Sequence, residues 1–338
     1  MPELRKDPVI GRWVIIATER ARRPGTFLGQ QRTAANDTEP CPFCNNQEPT
    51  TYSVPNNQPG AKVPWRVKVT PSGTPLLKVA GKFKRRGRGL YDVSNDYGTH
   101  EVVIETPDHI GNIADLSEEQ IRLILETYAV RFRELEKDQN FQYVIAYKNY
   151  GWAAGSRNIA HSRSQIIATA VNPVRVKEKL IGAKRYFDYH DRCVYCDLIH
   201  QEMEDRKRVV AETEHFLAII PFAPRFIFEI CIYPKKHHCD FHRGVVGTEQ
   251  DLARILKDVL LRLKIGVDDP SYNFIIQSGP FRRAANGTKW RTIEEDYHWH
   301  IEVMPRLTRV AGFEKGSGFY ICAIPPEDMA AFLREVEI

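Results

Sequence analysis

Apolar and polar residues alternate at Trp13–Ala17, Trp65–Val69, Glu101–Glu105, Tyr143–Tyr147 and Gln165–Ala168, and this period of two predicts a half-buried strand at each. The alternation returns at Phe216–Ile220, Phe228–Tyr233, Phe274–Gln277 and His300–Met304. A helical period interrupts each set once. Ser117-x-x-Gln120 has the form of a capping box opening a helix to about Lys137, and Thr248 with Asp251 opens another to about Leu263.

The two sets run in the same order: a Cys-x-x-Cys pair, a strand, a Pro-containing turn ending in His, a helix, a strand, then a strand that carries histidine. This order marks an internal duplication. The turns are TPDH (Thr106–His109) and YPKKH (Tyr233–His237); the late histidines are His161 in HSRSQ and His298 and His300 in YHWHIE. Strands joined by short turns, with helices segregated to one face, predict an α+β fold built on antiparallel sheets. VKEKLIGAKRYFDYH, around 176–190, reads as the link between repeats, and the expected units are 1–178 and 179–338.

A length of 338 residues allows two ordinary cores, and 42% apolar with 27% charged residues is the balance of a globular chain. No apolar run reaches membrane-spanning length, and MPELRKDPVIGRW lacks a signal-peptide core, so a cytoplasmic setting with reduced thiols is expected and a membrane partner is not. The net charge of +5 suits a small anionic ligand as readily as a nucleic acid. The basic run Lys82–Arg88 is short enough to read as a solvated segment, and nucleic acid is not an expected partner.

The chemistry sits in Cys41/Cys44 (CPFC) and Cys193/Cys196 (CVYC). A tight turn holding two thiolates supplies half of a tetrahedral zinc site, and two such pairs in one chain favour metal over a redox dithiol, which belongs between a strand and a helix. Candidates for the remaining ligands are His100, His109 and His161 in the first half, with His109 and His161 best placed. The second half offers His200, His215, His237, His238, His242, His298 and His300. Alternate residues of a strand share a face, so His298 can ligate metal and His300 can face a substrate. An unprotonated imidazole is a good nucleophile toward phosphorus, which points to nucleotidyl transfer in two displacements.

The succession CPFC, HEVVIETPDH, NYG, HSRSQ, CVYC, FEICIYPKKH and YHWHIEVMPRLTRVAGFEKGSGFYI resembles the galactose-1-phosphate uridylyltransferase family of the histidine-triad superfamily, over nearly the whole chain. It is most similar to members with a zinc knuckle in both halves. The resemblance implies tandem histidine-triad-like domains. Two zinc ions are implied, one held by Cys41, Cys44, His109 and His161 and the other by Cys193, Cys196, His237 and His298. It further implies a homodimer acting on a nucleotide-sugar or hexose 1-phosphate, by nucleotidyl transfer or phosphorolysis. Arg20 and Arg23 match arginines that reach the phosphates, Asn149, Gly151 and Gly155 the glycine-rich turn toward the nucleotide phosphate, and Gln165 the glutamine that bonds the phosphoryl group. Gly312, Lys315, Gly316 and Phe319 match the segment that shapes the hexose-phosphate site.

The chain departs from this pattern in three places. The turn between Asn149 and His161 is one residue longer, with Arg157 and Asn158 where small residues are expected, and VTPSGTP (Val69–Pro75) lacks the Asn of the family's N-x-x-P stretch. The third change is at the nucleophile position. The family motif is His-x-His-x-Gln with the second His as nucleophile, and here Arg163 stands in its place. A guanidinium stays protonated and cannot attack phosphorus, though it can bind or stabilise a phosphate. The expected alternatives are direct displacement, a nucleophile supplied by His300 in the second repeat, or a catalytically silent protein that binds a nucleotide or nucleotide-sugar.

Overall fold

The computed structural model describes residues 2–19, 41–44, 48–156, 161–283 and 290–338. The first half forms β1 (Glu3–Lys6), β2 (Trp13–Ile16), β3 (Tyr52–Pro55), β4 (Trp65–Pro71), β5 (Arg85–Arg88), β6 (Tyr91–Ser94), β7 (Gly98–Ile104), α1 (Glu118–Glu136), β8 (Tyr143–Tyr150) and β9 (Arg163–Thr169). There follow α2 (Val174–His190), α3 (Val194–Asp205), β10 (Val209–Glu212), β11 (Phe216–Ile219), β12 (Ile230–Pro234), α4 (Phe241–Gly244), α5 (Glu249–Gly266), β13 (Tyr272–Gln277), α6 (Ile293–Asp296), β14 (His300–Pro305), α7 (Gly312–Ser317), β15 (Tyr320–Cys322) and α8 (Pro326–Glu335). Every strand and both helices expected from the alternation are present, in a mixed fold with antiparallel sheets.

The repeats share one ten-stranded sheet, ordered β10-β11-β12-β14-β13-β8-β9-β7-β4-β3. Its two halves meet where β8 pairs antiparallel with β13, from Tyr150↔Tyr272 to Ala146↔Ile276. Closing the halves edge to edge satisfies the backbone donors and acceptors that two separate sheets would leave exposed. β1 and β2 pair with β15 from the other end of the chain, and Glu327 of α8 accepts from Arg5 and Arg208 at 2.8 Å each. The expected boundary at 178/179 falls inside α2, so the repeat boundary is not a break in packing.

The register reveals the duplication residue by residue. Tyr147 faces Gln165 across β8–β9, and Ile275 faces Glu302 across β13–β14; on the other flank Val102 faces Gln165 and Cys231 faces Glu302. Thus β14 repeats β9, with His298, His300 and Glu302 in the places of His161, Arg163 and Gln165.

α1 and α5 pack together on one face of the sheet and share its largest apolar core. Ser117 caps α1, its hydroxyl accepting from Gln120 N at 3.1 Å, but the Gln120 side chain bonds the carbonyls of Arg66 and Glu105 instead of closing the box. Thr248 precedes α5 without capping it; its hydroxyl donates to Val245 O, and Asp251 bonds His215 N and the His215 ring. The stretch read as a link is the helix α2, which buries Val176, Leu180 and Ala183 in a second apolar cluster with Tyr143, Leu217 and Tyr233. That cluster lies on the opposite face of the sheet, because neighbours on these strands point to opposite sides. The basic run Lys82–Arg88 ends in β5, part of an exposed hairpin with β6.

Candidate functional site

The CPFC turn, the turn TPDH and the entry to β9 bring the ligand atoms of Cys41, Cys44, His109 and His161 within 4.8 Å of one another. Cys41 Sγ lies 3.5 Å from His161 Nδ1, and Cys44 Sγ lies 3.3 Å from His109 Nδ1 and 3.6 Å from His161 Nδ1. A tetrahedral zinc with the usual bond lengths sets sulfur and nitrogen about 3.6 Å apart, so this cage has the size of one ion. His161 Nε2 is 2.9 Å from the Thr106 carbonyl, which fixes its proton there and leaves Nδ1 as the ligand atom.

The second half repeats the arrangement from Cys193, Cys196, His237 and His298. Cys196 Sγ lies 3.3 Å from His237 Nδ1 and 3.7 Å from His298 Nδ1. The far nitrogens are again held by carbonyls, His237 Nε2 by Glu294 O at 2.9 Å and His298 Nε2 by Pro234 O at 2.8 Å. Here the Cys pair opens a helix, with Cys193 directly before α3. The other histidines are engaged elsewhere: His238 Nδ1 accepts from Asp240 N, His242 meets Glu136, His215 meets Asp251, and His200 meets Glu204. All seven cysteines are free of disulfides, and Cys231, Cys239 and Cys322 are buried thiols.

Two residues beyond His161, Arg163 lies on the face of β9 opposite Ser162 and Ser164. Its guanidinium donates to His161 O at 3.2 Å and Ser156 Oγ at 3.3 Å, and lies 5.1 Å from the centre of the Phe43 ring. Gln165 shares that face, and its Oε1 accepts from Tyr147 OH at 2.9 Å and from His100 Nε2 at 2.7 Å. His100 Nδ1 accepts from Leu76 N, which assigns the ring proton to Nε2. With its oxygen doubly engaged, Gln165 offers a ligand its amide donors.

Gly151 and Gly155 bracket a short 3-10 turn with φ of 76° and 88°, in the left-handed region that other residues rarely adopt. A Cβ at Gly151 would stand 2.1 Å from Ser271 Oγ. Asn149 Oδ1 accepts from Asn273 across the join of the repeats at 2.8 Å, and Asn273 also donates to the Ala154 carbonyl. Arg20, Arg23, Arg157 and Asn158 lie outside the described residues. Gly312, Lys315 and Gly316 are exposed on α7 and Phe319 is half-buried beyond it, with hydrogen bonds closing locally through Glu314 to Ala311 N and Ile321 N.

In the second half His300 takes the place of Arg163. Its Nδ1 is 3.0 Å from His298 O, its Nε2 is 2.8 Å from Lys179 Nζ, and its ring lies between Tyr195 and Tyr233 at 5.3 and 5.4 Å. Burial, then the Lys179 charge, pushes the His300 imidazole down to about 3. Burial alone would raise Glu302, but Arg225 and Lys179 hold it well below the usual carboxylate range. Sequence reasoning missed Lys179, Arg225 and Phe43. Only Lys179 had a local signal, the i, i+4, i+7 spacing of Val176, Leu180 and Ala183 that defines its helix.

A Cys-Cys-His-His cluster of the size of a metal site in each repeat of one sheet marks a tandem α+β protein. The profile described as galactose-1-phosphate uridyl transferase, N-terminal domain, matches residues 1–173. ADP-glucose phosphorylase of Arabidopsis thaliana is 33% identical over all of this chain and 93% of the relative. The crystal structure of an ADP-glucose phosphorylase from that plant with bound ADP-glucose aligns with a TM-score of 0.82 at 32% identity, over 100% of this chain and 99% of that one. Galactose-1-phosphate uridylyltransferase of Thermotoga maritima is 27% identical over 100% and 99% of the two chains. The chain belongs to the galactose-1-phosphate uridylyltransferase family.

Proposed function

We propose that the protein acts on nucleotide-sugars or hexose 1-phosphates, by nucleotidyl transfer or phosphorolysis, and carries two zinc ions per chain. The observation that carries this reading is the face of β9, where Arg163 and Gln165 stand two and four residues beyond the metal-cage histidine His161. Asn149, Gly151 and Gly155 are assigned to the phosphate end of the same site, since glycines at both ends of the turn let backbone amides approach an anion. Arg20 and Arg23 are assigned to the same phosphates on the resemblance. Four side chains would hold each zinc, which would then serve to fix the strand that carries the reacting face.

At this site no covalent intermediate forms on residue 163. A guanidinium there stabilises charge on phosphate oxygens, and displacement at phosphorus is direct. The exposed segment with Gly312, Lys315, Gly316 and Phe319 is assigned to the hexose-phosphate end, reached by a second copy in a homodimer. A cytoplasmic setting belongs to the same reading; among the described residues no helix is long and apolar enough to cross a membrane.

Calorimetry with UDP-glucose and ADP-glucose, together with hexose 1-phosphate release in the presence of inorganic phosphate, tests the reading. Arg163→Ala should weaken binding of the preferred nucleotide-sugar about tenfold, the order expected for one charge-assisted hydrogen bond. Binding without release leaves the silent binding protein that Arg163 also favours. Failure of both sugars to bind overturns the reading.

A further inference from the structure

A glutamine can turn either end of its amide toward a ligand, and an anion is held by the nitrogen and repelled by the oxygen. At Gln165 the choice is made by a chain of hydrogen bonds that starts from the backbone. Leu76 N donates to His100 Nδ1 at 3.2 Å. A backbone N–H can only donate, so Nδ1 accepts and the ring proton lies on Nε2. His100 Nε2 is 2.7 Å from the Gln165 side chain, which must therefore place its oxygen there. Tyr147 OH donates to the same oxygen at 2.9 Å from the neighbouring strand. Among the described residues nothing accepts from the amide nitrogen, and Gln165 is half-buried on the face of β9 that carries Arg163.

His100 is placed to impose this orientation. It is only 8% exposed, and its own carbonyl accepts from Ser72 N at 2.8 Å, so both its backbone and its ring are tied to the segment that leaves β4. An imidazole fixed at both nitrogens has one orientation, and a group it holds loses little freedom when a ligand arrives. The second repeat has no such arrangement. Val102 and Cys231 hold equivalent places opposite Gln165 and Glu302, which puts Glu229 in the place of His100 and Ile275 in the place of Tyr147. There the group in the place of Gln165 is a carboxylate committed to Lys179 and Arg225. Of the two equivalent positions, only that on β9 turns a neutral amide donor outward.

We propose that His100 and Tyr147 are positioning residues that hold the Gln165 Nε2 donors toward a phosphoryl oxygen of the substrate. The proposal rests on the reading that this face works on nucleotide-sugars or hexose 1-phosphates. Without His100 the amide can turn over and set its oxygen lone pairs against the phosphate charge. Tyr147 alone does not prevent this, because a phenol accepts as well as donates and can meet either end of the amide. His100, whose Nε2 can only donate while Leu76 N holds Nδ1, therefore decides the orientation, and Tyr147 strengthens it.

Two substitutions at one position separate this role from packing. In His100→Asn the shorter amide can accept from Leu76 N but does not reach Gln165; in His100→Gln the longer one can donate to Gln165 Oε1 in the place of Nε2. Calorimetry of the full-length protein with UDP-glucose and ADP-glucose should find the preferred nucleotide-sugar bound about tenfold more weakly by His100→Asn, the order of one hydrogen bond to a charged group. His100→Gln should recover most of that loss, and Tyr147→Phe should lose about threefold. In a Gln165→Ala background His100→Asn should cost nothing further, since the group it orients is gone. An equal loss with and without Gln165, or no recovery in His100→Gln, overturns the proposal and leaves the nucleotide-sugar reading standing. Nitrogen NMR of the unaltered chain keeps the proposal testable if the variants do not fold. His100 should carry its proton on Nε2 with Nδ1 bare, and the Gln165 amide protons should shift when the nucleotide-sugar is added. A proton on Nδ1, or an unmoved Gln165 amide, overturns the proposal. Failure of both nucleotide-sugars to bind overturns it together with the reading on which it rests.

Discussion

Beneath the two strands that carry the cage histidines, the repeats fill equivalent space with opposite chemistry. In the first half Glu105 accepts from Lys148, Ser162 and Tyr128, and Tyr128 also bonds Ser164; Lys148 and Glu105 are both buried. In the second half the place of Ser162 is taken by Trp299, packed against the Phe216 and Phe241 rings, and the place of Lys148 by Ile276. The faces above differ as well, Arg163 and Gln165 against His300 and Glu302. Coordination geometry fixes the ligand positions of both cages, while the residues between and beyond them answer only to their own neighbours and have diverged. A metal cage is therefore evidence for the fold, and the chemistry must be read from the position two residues further on.

Metal loss should separate the halves most. Cys193 is buried among Val194, Tyr195 and Ile199, whereas Cys41 and Cys44 are half-buried in a loop. Cys196→Ser should release one ion and lower the urea-unfolding free energy by on the order of 5 kcal/mol, a fraction of what structural zinc contributes to small domains. Cys44→Ser should release the other ion at a clearly smaller cost. Metal analysis with urea denaturation measures both, and the reverse order would break the comparison.

The next largest effect belongs to the buried ion pair. Lys148→Met strands the Glu105 carboxylate and should cost about 3–5 kcal/mol, whereas Lys148→Met with Glu105→Leu, which imitates the apolar second half, should recover most of the loss. An uncorrected double variant would show that the polar cluster cannot be exchanged for the packing used around Ile276. The smallest effect is at the helix starts. Ser117→Ala removes a cap and should cost about 1 kcal/mol, while Thr248→Ala, which removes none, should cost a few tenths. Equal losses in thermal or urea melts would contradict the difference between α1 and α5.

Much of this was legible in the chain, for identifiable reasons. Tyr143–Tyr150 alternates because it is buried chiefly on the face toward α1 and α5, whereas Phe216–Ile219 is apolar throughout because both of its faces are buried. α2 went unread because its buried stripe is narrow, with Lys177, Glu178, Lys179, Lys184 and Arg185 between the apolar positions. β1 and β15 are four and three residues long and find partners only through the fold, so no local period could reveal them. The candidate site divides the same way, since Arg163 and Gln165 follow from spacing and the Phe43 contact of Arg163 from tertiary packing.

By itself the sequence determined the duplication, the thiolate and imidazole ligand types, and the exchange of Arg163 for His300, because side-chain identity and strand period are local and covalent. Only the tertiary structure decided that His237, and not His238 or His242, joins the second cage, and that β8 joins β13. It alone set Lys179 against His300. Each of these depends on distances between residues far apart in the chain, which are set when the sheet closes and the helices cover it, and no short-range pattern encodes them.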